Sequence, residues 1–195
     1  MSNPKKEQIL KTAKELFWKY GIKRVSVEEI CAEANVSKMT FYKYFRNKIE
    51  LAKLILQNLF NKAISEYREI MDSDIQFIEK VEKTIQLKMD FSVAISQEFI
   101  NDLYKNEITE LQEFMQKFMS LNMQMIYDDY IKAQKDGYIR QDIKVDYIMF
   151  ILNKMIDLVT DEQLSKMYET PQEMIKENVN FFFYGILPHP KPINE

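Results

Sequence analysis

Between Pro4 and Pro171 the chain contains no proline, and Gly21 and Gly137 are its only glycines over that stretch. A β-sandwich turns back on itself about every 8–12 residues and draws on Gly and Pro to do so. Helices avoid both residues. Apolar side chains recur here at i, i+3, i+4 and i+7 through most of the chain, so an all-α fold is expected. The same scarcity removes whole classes of function. Gly21, Gly137 and Gly185 lie too far apart to build a glycine-rich phosphate loop or a dinucleotide fingerprint. One His and one Cys cannot furnish a four-ligand zinc site, a disulfide or a two-cysteine redox pair. Neither a metal nor a cofactor is expected. Apolar residues make up 46% of the 195 positions, enough for the core of one or two domains.

Charge is unevenly divided. Residues 1–50 hold 11 Lys/Arg against 6 Asp/Glu, a net +5, whereas residues 51–195 hold 16 against 24, a net −8. A basic head on an acidic body suggests a polyanionic partner for the head alone. The first residues lead into no apolar signal core, and the longest near-apolar run, Phe181 to Leu187, is far short of a membrane span. A cytoplasmic protein without a membrane partner is expected.

Three short helices account for the head. The first, from about Lys5 to Tyr20, carries the stripe Ile9, Ala13, Leu16, Phe17 and Tyr20, and Gly21 with Ile22 is placed for a Schellman ending. Ser26-Val27-Glu28-Glu29 is a capping box, with Val25 and Ile30 at the staple positions, and it opens a second helix. Cys31 falls on that helix's apolar stripe and reads as a small core residue. Asn35 tolerates a left-handed turn, and Ser37 caps a third helix from about Lys38 to Tyr44 or Phe45. Phe41, Tyr44 and Phe45 point that helix inward, leaving Lys38, Met39, Thr40, Tyr42 and Lys43 outside. Asn47 to Glu50 opens a fourth helix. Helix, three-residue turn, short polar helix: the pattern is a helix-turn-helix, whose second helix reads the major groove, or else an ordinary helical hairpin with a wet face.

The stretch Gln8–Leu56 resembles the DNA-binding head of the TetR (tetracycline-repressor-type) family of transcriptional regulators. The resemblance rests on the run from Ile9 to Phe17, on Gly21, on Ser26 to Ile30, on Ala34 to Lys38, on Thr40 to Phe45, and on Asn47-Lys48. It implies an N-terminal helix-turn-helix domain over residues 1–47 and a helical ligand-binding and dimerisation domain over 48–195. Carried over residue by residue, it makes Ser26 a phosphate contact and Lys38, Thr40, Tyr42 and Lys43 contacts from the recognition helix. Lys48 would meet a further phosphate at a helix N-terminus. Ser37, at the recognition-helix cap, and Met39 complete the expected DNA-binding set. Two positions depart from the family pattern, which often has Gly where this chain has Asn35 and Met39. Met39 offers apolar contact, such as to a thymine methyl, so the family's base preference does not transfer.

Beyond residue 50, helices are expected over 48–70, 74–91, 95–105, 107–136, 145–160 and 171–187. Thr170-Pro171-Gln172-Glu173 marks the start of the last one, with Pro at its permitted first position. In the 107–136 helix Leu111, Phe114, Met115, Phe118, Met119, Leu121, Met123, Met125 and Ile126 cover an arc of roughly 200°, which expects a helix running through the middle of the body. Asn122 lies near the centre of that arc and requires a partner, whether a neighbouring side chain, water or a ligand. The body is expected to hold a largely apolar pocket lined by Phe99, Leu103, Met115, Phe118, Met119, Asn122 and Ile126. Its acidic character favours an apolar or aromatic ligand over a phosphorylated one. The last two long helices are too apolar for a single buried face. Ile151, Met155, Val179, Phe182, Phe183 and Ile186 are expected in a four-helix dimer interface, as the resemblance also implies.

No enzymatic constellation emerges. Asp128-Asp129, and Asp157 with Asp161, sit on charge-rich helices and read as solvated faces, and His189 is pinned between prolines in the tail. The expected function is therefore a homodimeric repressor that binds a pseudo-palindromic operator in double-stranded DNA and is released by a small molecule. The alternative is a constitutive DNA binder, against which the long body argues.

Overall fold

The computed structural model describes residues 3–93, 95–105 and 108–188; His189 and the residues after it lie outside them. Among the described residues all regular structure is helical. The order is α1 (Pro4–Tyr20), α2 (Val27–Glu33), α3 (Lys38–Tyr44), α4 (Lys48–Asp72), α5 (Phe77–Ser92), α6 (Gln97–Tyr104), α7 (Thr109–Lys135), α8 (Val145–Thr160), α9 (Glu162–Ser165) and α10 (Pro171–Ile186). No helix of the structure is long and apolar enough to cross a membrane. The short α9 was not foreseeable from periodicity, since four residues carry no period; Asp161 starts it by accepting the Gln163 and Leu164 amides at 2.9 and 2.7 Å.

Capping residues delimit the head as their chemistry dictates. The Ser26 hydroxyl accepts the Glu29 amide at 3.1 Å while the Glu29 carboxylate accepts the Ser26 amide at 2.7 Å. Asn35 takes φ 49°, the left-handed conformation that the turn before α3 requires. Gly21 departs from the Schellman expectation. Its amide closes α1 on the Phe17 carbonyl at 2.9 Å, but φ 82° and ψ 156° leave the left-handed helical basin for a region that glycine alone occupies readily. The reason is crowding from the body. A Cβ on Gly21 would stand 2.7 Å from Asp102 Oδ2 and 3.2 Å from Glu98 Cβ, both on α6.

Two buried clusters organise the chain. The first joins head to body: Ile9, Phe17, Ile30, Phe41 and Phe45 pack with Leu51, Ile55 and Leu56 of α4, Phe99 and Leu103 of α6, and Leu111 and Met115 of α7. The apolar core of the head therefore runs into α4 and α6 without a break at residue 47. The second cluster lies at the other end: Val81 of α5, Ala133 of α7, Ile139, Ile148 of α8, and Val179, Phe182, Phe183 and Ile186 of α10. Ile151 and Met155 pack against it half-buried. This corrects four of the six expected dimer residues: Val179, Phe182, Phe183 and Ile186 are buried in the protein's own interior, because the stripe of α10 with the cleanest periodicity is needed to close the body onto α5. The apolar side chains left exposed on α8 and α10 are Tyr147, Phe150, Leu158, Phe181 and Tyr184.

Between the clusters, α4, α5, α10, α8 and α7 form a ring in which each helix packs on its two neighbours, and α6 closes the head end by packing on α1, α7 and α8. The expectation for α7 is only partly met. Leu111, Met115 and Ala133 are its buried residues, none of the residues from 116 to 132 is fully buried, and Leu121 is 70% exposed. Through its middle turns the wide apolar arc is half-buried and does not sit in a solid core.

Substituting Ala for Gly21 should lower stability by about 1–3 kcal/mol from backbone strain, plus the cost of moving α6. Gly137 has a similar φ of 80° but nothing within 4 Å of an added Cβ, so Gly137→Ala should cost less. Denaturant melts of the two variants measure the difference; equal losses would show that the α6 approach is immaterial.

Candidate functional site

The face opposite the body is built by α3. Phe41 is fully buried and anchors the helix, edge-on to Tyr42 and tilted against Phe45. With that side inward, Lys38, Met39, Tyr42 and Lys43 face solvent, and Met39 is 85% exposed. A methionine that exposed at the first turn of a helix contributes nothing to the core and is available to a groove. Ser37 caps α3 by accepting the Thr40 amide at 3.1 Å, and the two hydroxyls are 3.0 Å apart, so Thr40 is oriented by the cap. The structure thus brings Ser37, Lys38, Met39, Thr40, Tyr42 and Lys43 onto one face.

Two expected phosphate contacts are otherwise engaged. Lys48 turns inward, and its ammonium donates to the Lys23 and Val25 carbonyls, both at 2.7 Å, where burial pushes its pKa below the usual lysine range. In the free protein it ties α4 to the loop before α2. The Ser26 hydroxyl donates to the Glu29 carboxylate at 2.8 Å while accepting that residue's amide, so its hydrogen-bonding capacity is largely used by the capping box. The causes differ: Lys48 supplies donors to carbonyls of the loop from Gly21 to Val25, whose backbone has no regular partners, whereas Ser26 is engaged by the start of α2.

Two residues that sequence reasoning passed over shape this face. Glu28 of α2 pairs with Lys38, and that ammonium holds the carboxyl below its usual range. Asp102 of α6, though buried, accepts the Lys23 amide at 2.9 Å through the oxygen that crowds Gly21. The signal for Asp102 was present: an acidic residue lies on the buried stripe of α6 beside Phe99 and Leu103. Trp18 completes the junction, with its ring centroid 4.3 Å from that of Phe99 and its carbonyl accepting the Ser96 amide at 2.9 Å.

The residues expected to line a pocket separate into two groups. Phe99 and Leu103 are sealed in the first cluster at the head junction, and Phe118 stacks on Phe60 of α4 with centroids 4.6 Å apart. Asn122 satisfies its amide on the Phe118 carbonyl of its own helix at 2.8 Å, and Ile126 is half-buried. Met115 and Met119 do reach a cleft of about 500 Å³, which they line with Tyr104, Gln112, Met123 and Asn153. A larger cleft, about 740 Å³, lies beside α1 and α4, where Lys11, Lys14 and Lys62 are set against Glu15, Glu66 and Asp90. At the far end of α4, Tyr67 and Arg68 both bind Asp129 of α7, at 2.9 and 3.1 Å. No group of side chains able to hold a metal ion occurs among the described residues.

Comparison with known proteins agrees with this anatomy. Residues 9–55 match the family described as bacterial regulatory proteins, tetR family. The uncharacterized HTH-type transcriptional regulator YdgC of Bacillus subtilis (strain 168) is 23% identical over 187 residues, covering 94% of this chain and 93% of its own. The HTH-type transcriptional repressor KstR2 of Rhodococcus jostii (strain RHA1) is 28% identical over 149 residues, covering 73% of this chain and 71% of its own. Among solved structures, the fatty acid degradation regulator FadR from Bacillus halodurans shares the fold, with a TM-score of 0.72 at 17% identity over 95% of this chain and 97% of that one. These relatives are regulators of transcription and not enzymes.

Glu28→Gln should strengthen DNA binding at every sequence, because Lys38 no longer has to exchange a carboxylate for a phosphate. Lys43→Ala should weaken all sequences alike and flatten the salt dependence by about 1 per head. Lys48→Met should act differently, lowering the melting temperature in the absence of DNA. Fluorescence anisotropy over a salt series, with melting curves on the free protein, separates the three; a Lys48→Met protein that melts normally would return that residue to the phosphate-binding set.

Proposed function

Because residues 9–55 carry the DNA-binding head of the tetR family of bacterial regulatory proteins, we propose that this transcriptional regulator is a homodimeric repressor, released from its operator by a small, largely apolar ligand. The observation that carries the reading is the ring of α4, α5, α10, α8 and α7, closed at both ends by buried clusters, with no fully buried side chain on α7 from residue 116 to 132 and a cleft of about 500 Å³ beside its methionines. A natural interior is packed to crystal-like density. A ring with sealed ends and an accessible apolar cleft between them is suited to a guest.

Transmission to DNA follows from the junction. α6 borders the ring and also holds the head, through Asp102 on the Lys23 amide and Phe99 on Trp18. α4 belongs to the ring over most of its length and enters the head core at Leu51 to Leu56. A guest that fits one placement of α4 and α6 better than another shifts the heads by that difference in affinity and no more. Two heads on a dimer match a pseudo-palindrome only at one spacing, so a modest shift releases the operator.

The dimer surface assigned here is the exposed stripe of α8 and α10. Tyr147, Phe150 and Leu158 recur at helical spacing on α8, and Phe181, 84% exposed, is followed by Tyr184 on α10. The two helices pack on one another. Exposed apolar side chains on one pair of packed helices suit self-complementary pairing about a twofold axis.

Operator affinity should fall with salt at a log–log slope of roughly −4 to −7, for about 4–8 neutralised phosphates per dimer. Phe181→Glu and Phe150→Glu should give folded monomers with little operator binding, whereas Phe182→Glu should unfold the body, since that ring is buried within the chain. Sedimentation and circular dichroism distinguish these results, and intact dimers for both Phe181→Glu and Phe150→Glu would move the interface elsewhere. A screen by thermal shift followed by operator displacement tests inducibility. If no compound both stabilises the protein and frees DNA, the regulator is a constitutive binder.

A further inference from the structure

A lysine stands at the centre of the inward arc of α5. At 100° per residue, Phe77, Val81, Thr84, Ile85, Phe91 and Ser92 all project within about 60° of Lys88. Each of those six is buried or half-buried, while Lys88 itself is exposed. α5 is flanked by α4 on one side and α10 on the other. An accessible side chain between such walls, in the middle of the packed face, opens onto space inside the ring. Burial pushes its ammonium below the usual lysine range, which agrees with dense protein around it. Its ammonium meets no carboxylate or other hydrogen-bond acceptor among the described residues.

A second unsatisfied donor lies across from it. The side-chain amide nitrogen of Asn178 on α10 is buried and has no acceptor. Asn178 lies on the inward stripe of α10, one turn from Met174 and one from Phe182, both buried. α5 and α10 run antiparallel: Gln172 at the start of α10 donates to the Ser92 and Ile95 carbonyls, while Val81 and Phe77 pack among Phe182, Phe183 and Ile186. In that register Asn178 faces the level of Gln86, within about one helical turn of Lys88. A buried donor without an acceptor is costly, and an accessible cation crowded by protein with no anion beside it is open to an anionic partner. Here two donors on the inward stripes of neighbouring helices lack acceptors at about the same level of the ring.

We infer that the ring takes an amphiphilic monocarboxylate, its single anionic group received by Lys88 and Asn178 and its apolar remainder lying along the inward apolar stripes of α5 and α10. The inference rests on the ligand-responsive reading above and narrows it to a class of ligand. It also adds an anionic group to the apolar or aromatic ligand expected from the acidic body. The charge sensed by a bound group is that of its own surroundings in the low-dielectric interior, and here that is one unpaired cation. A multiply charged phosphorylated ligand remains a poor match to a single lysine.

The test titrates the full-length protein calorimetrically with decanoate and with decanol, which share a tail and differ in the head group. Decanoate should bind the natural protein at least about tenfold more tightly than decanol, as a charge-assisted hydrogen bond to an unpaired cation requires. Lys88→Met keeps the bulk of the stem and should weaken decanoate at least about tenfold while leaving decanol unchanged or tighter. Lys88→Arg should recover part of the loss, and Asn178→Leu should weaken decanoate with Lys88 intact. Circular dichroism melts establish that each variant is folded. Equal affinity for the two amphiphiles, no decanoate binding, or undiminished decanoate binding by folded Lys88→Met overturns the assignment. Operator displacement separates this from the function proposed above. Release by decanol with no decanoate binding leaves the inducible repressor standing and removes the anion site. Decanoate bound through Lys88 on a protein that keeps its operator does the reverse.

Discussion

The structure depends on one close approach, that of Gly21 to Asp102. The end of α1 has to pass under α6 with no room for a side chain, and the loop that follows has to find partners for its backbone. Asp102 takes the Lys23 amide, and Lys48 takes the Lys23 and Val25 carbonyls. The head is therefore wired to two body helices through main-chain groups of a single loop. Main-chain hydrogen bonds leave little latitude in position, which is what a head that must match a fixed spacing on DNA requires. The apolar seam of Trp18 and Phe99 then makes the junction part of the first core, so that head and body share packing and not merely a linker.

Stability and function divide the body between them. Dense packing is confined to the two ends, and the middle of α7, the later turns of α4 and much of α8 contribute half-buried side chains only. Such a layer forfeits contact energy that a filled core would have. In the function proposed above, what it gains is the capacity to bind, since a guest would supply the missing contacts and stabilise whichever arrangement of the ring encloses it best.

Much of this was legible in the sequence, for identifiable reasons. Ser26, Ser37 and Thr170 announced helix starts through side chains that have only one good use at such positions, and Asn35 announced its turn through the conformation it tolerates. What was not legible turns on which neighbour a side chain finds. Phe182 and Phe183 looked like an interface because periodicity reports that a face is buried, not what covers it; the cover is α5 of the same chain. The inward bonds of Lys48 were not legible because nothing local shows that the carbonyls of a loop 23 and 25 residues away lie within its reach. Phe99 and Leu103 were correctly apolar and wrongly placed, since a one-dimensional stripe does not distinguish a seam from a pocket wall.

Helix α4 has a mechanical consequence. It is held near its start by Lys48 and near its end by Tyr67 and Arg68 on Asp129, and about 30 Å of rigid helix separates these pins at 1.5 Å per residue. A rod of that length rotating by about 5° about its body pin carries the other end sideways by about 2.6 Å. That is most of the rise of one base pair, about 3.4 Å. The molecule thus has a built-in gain: a displacement of a few tenths of an ångström near the Asp129 pin, too small to disturb a core, is a change of nearly one nucleotide step at the groove.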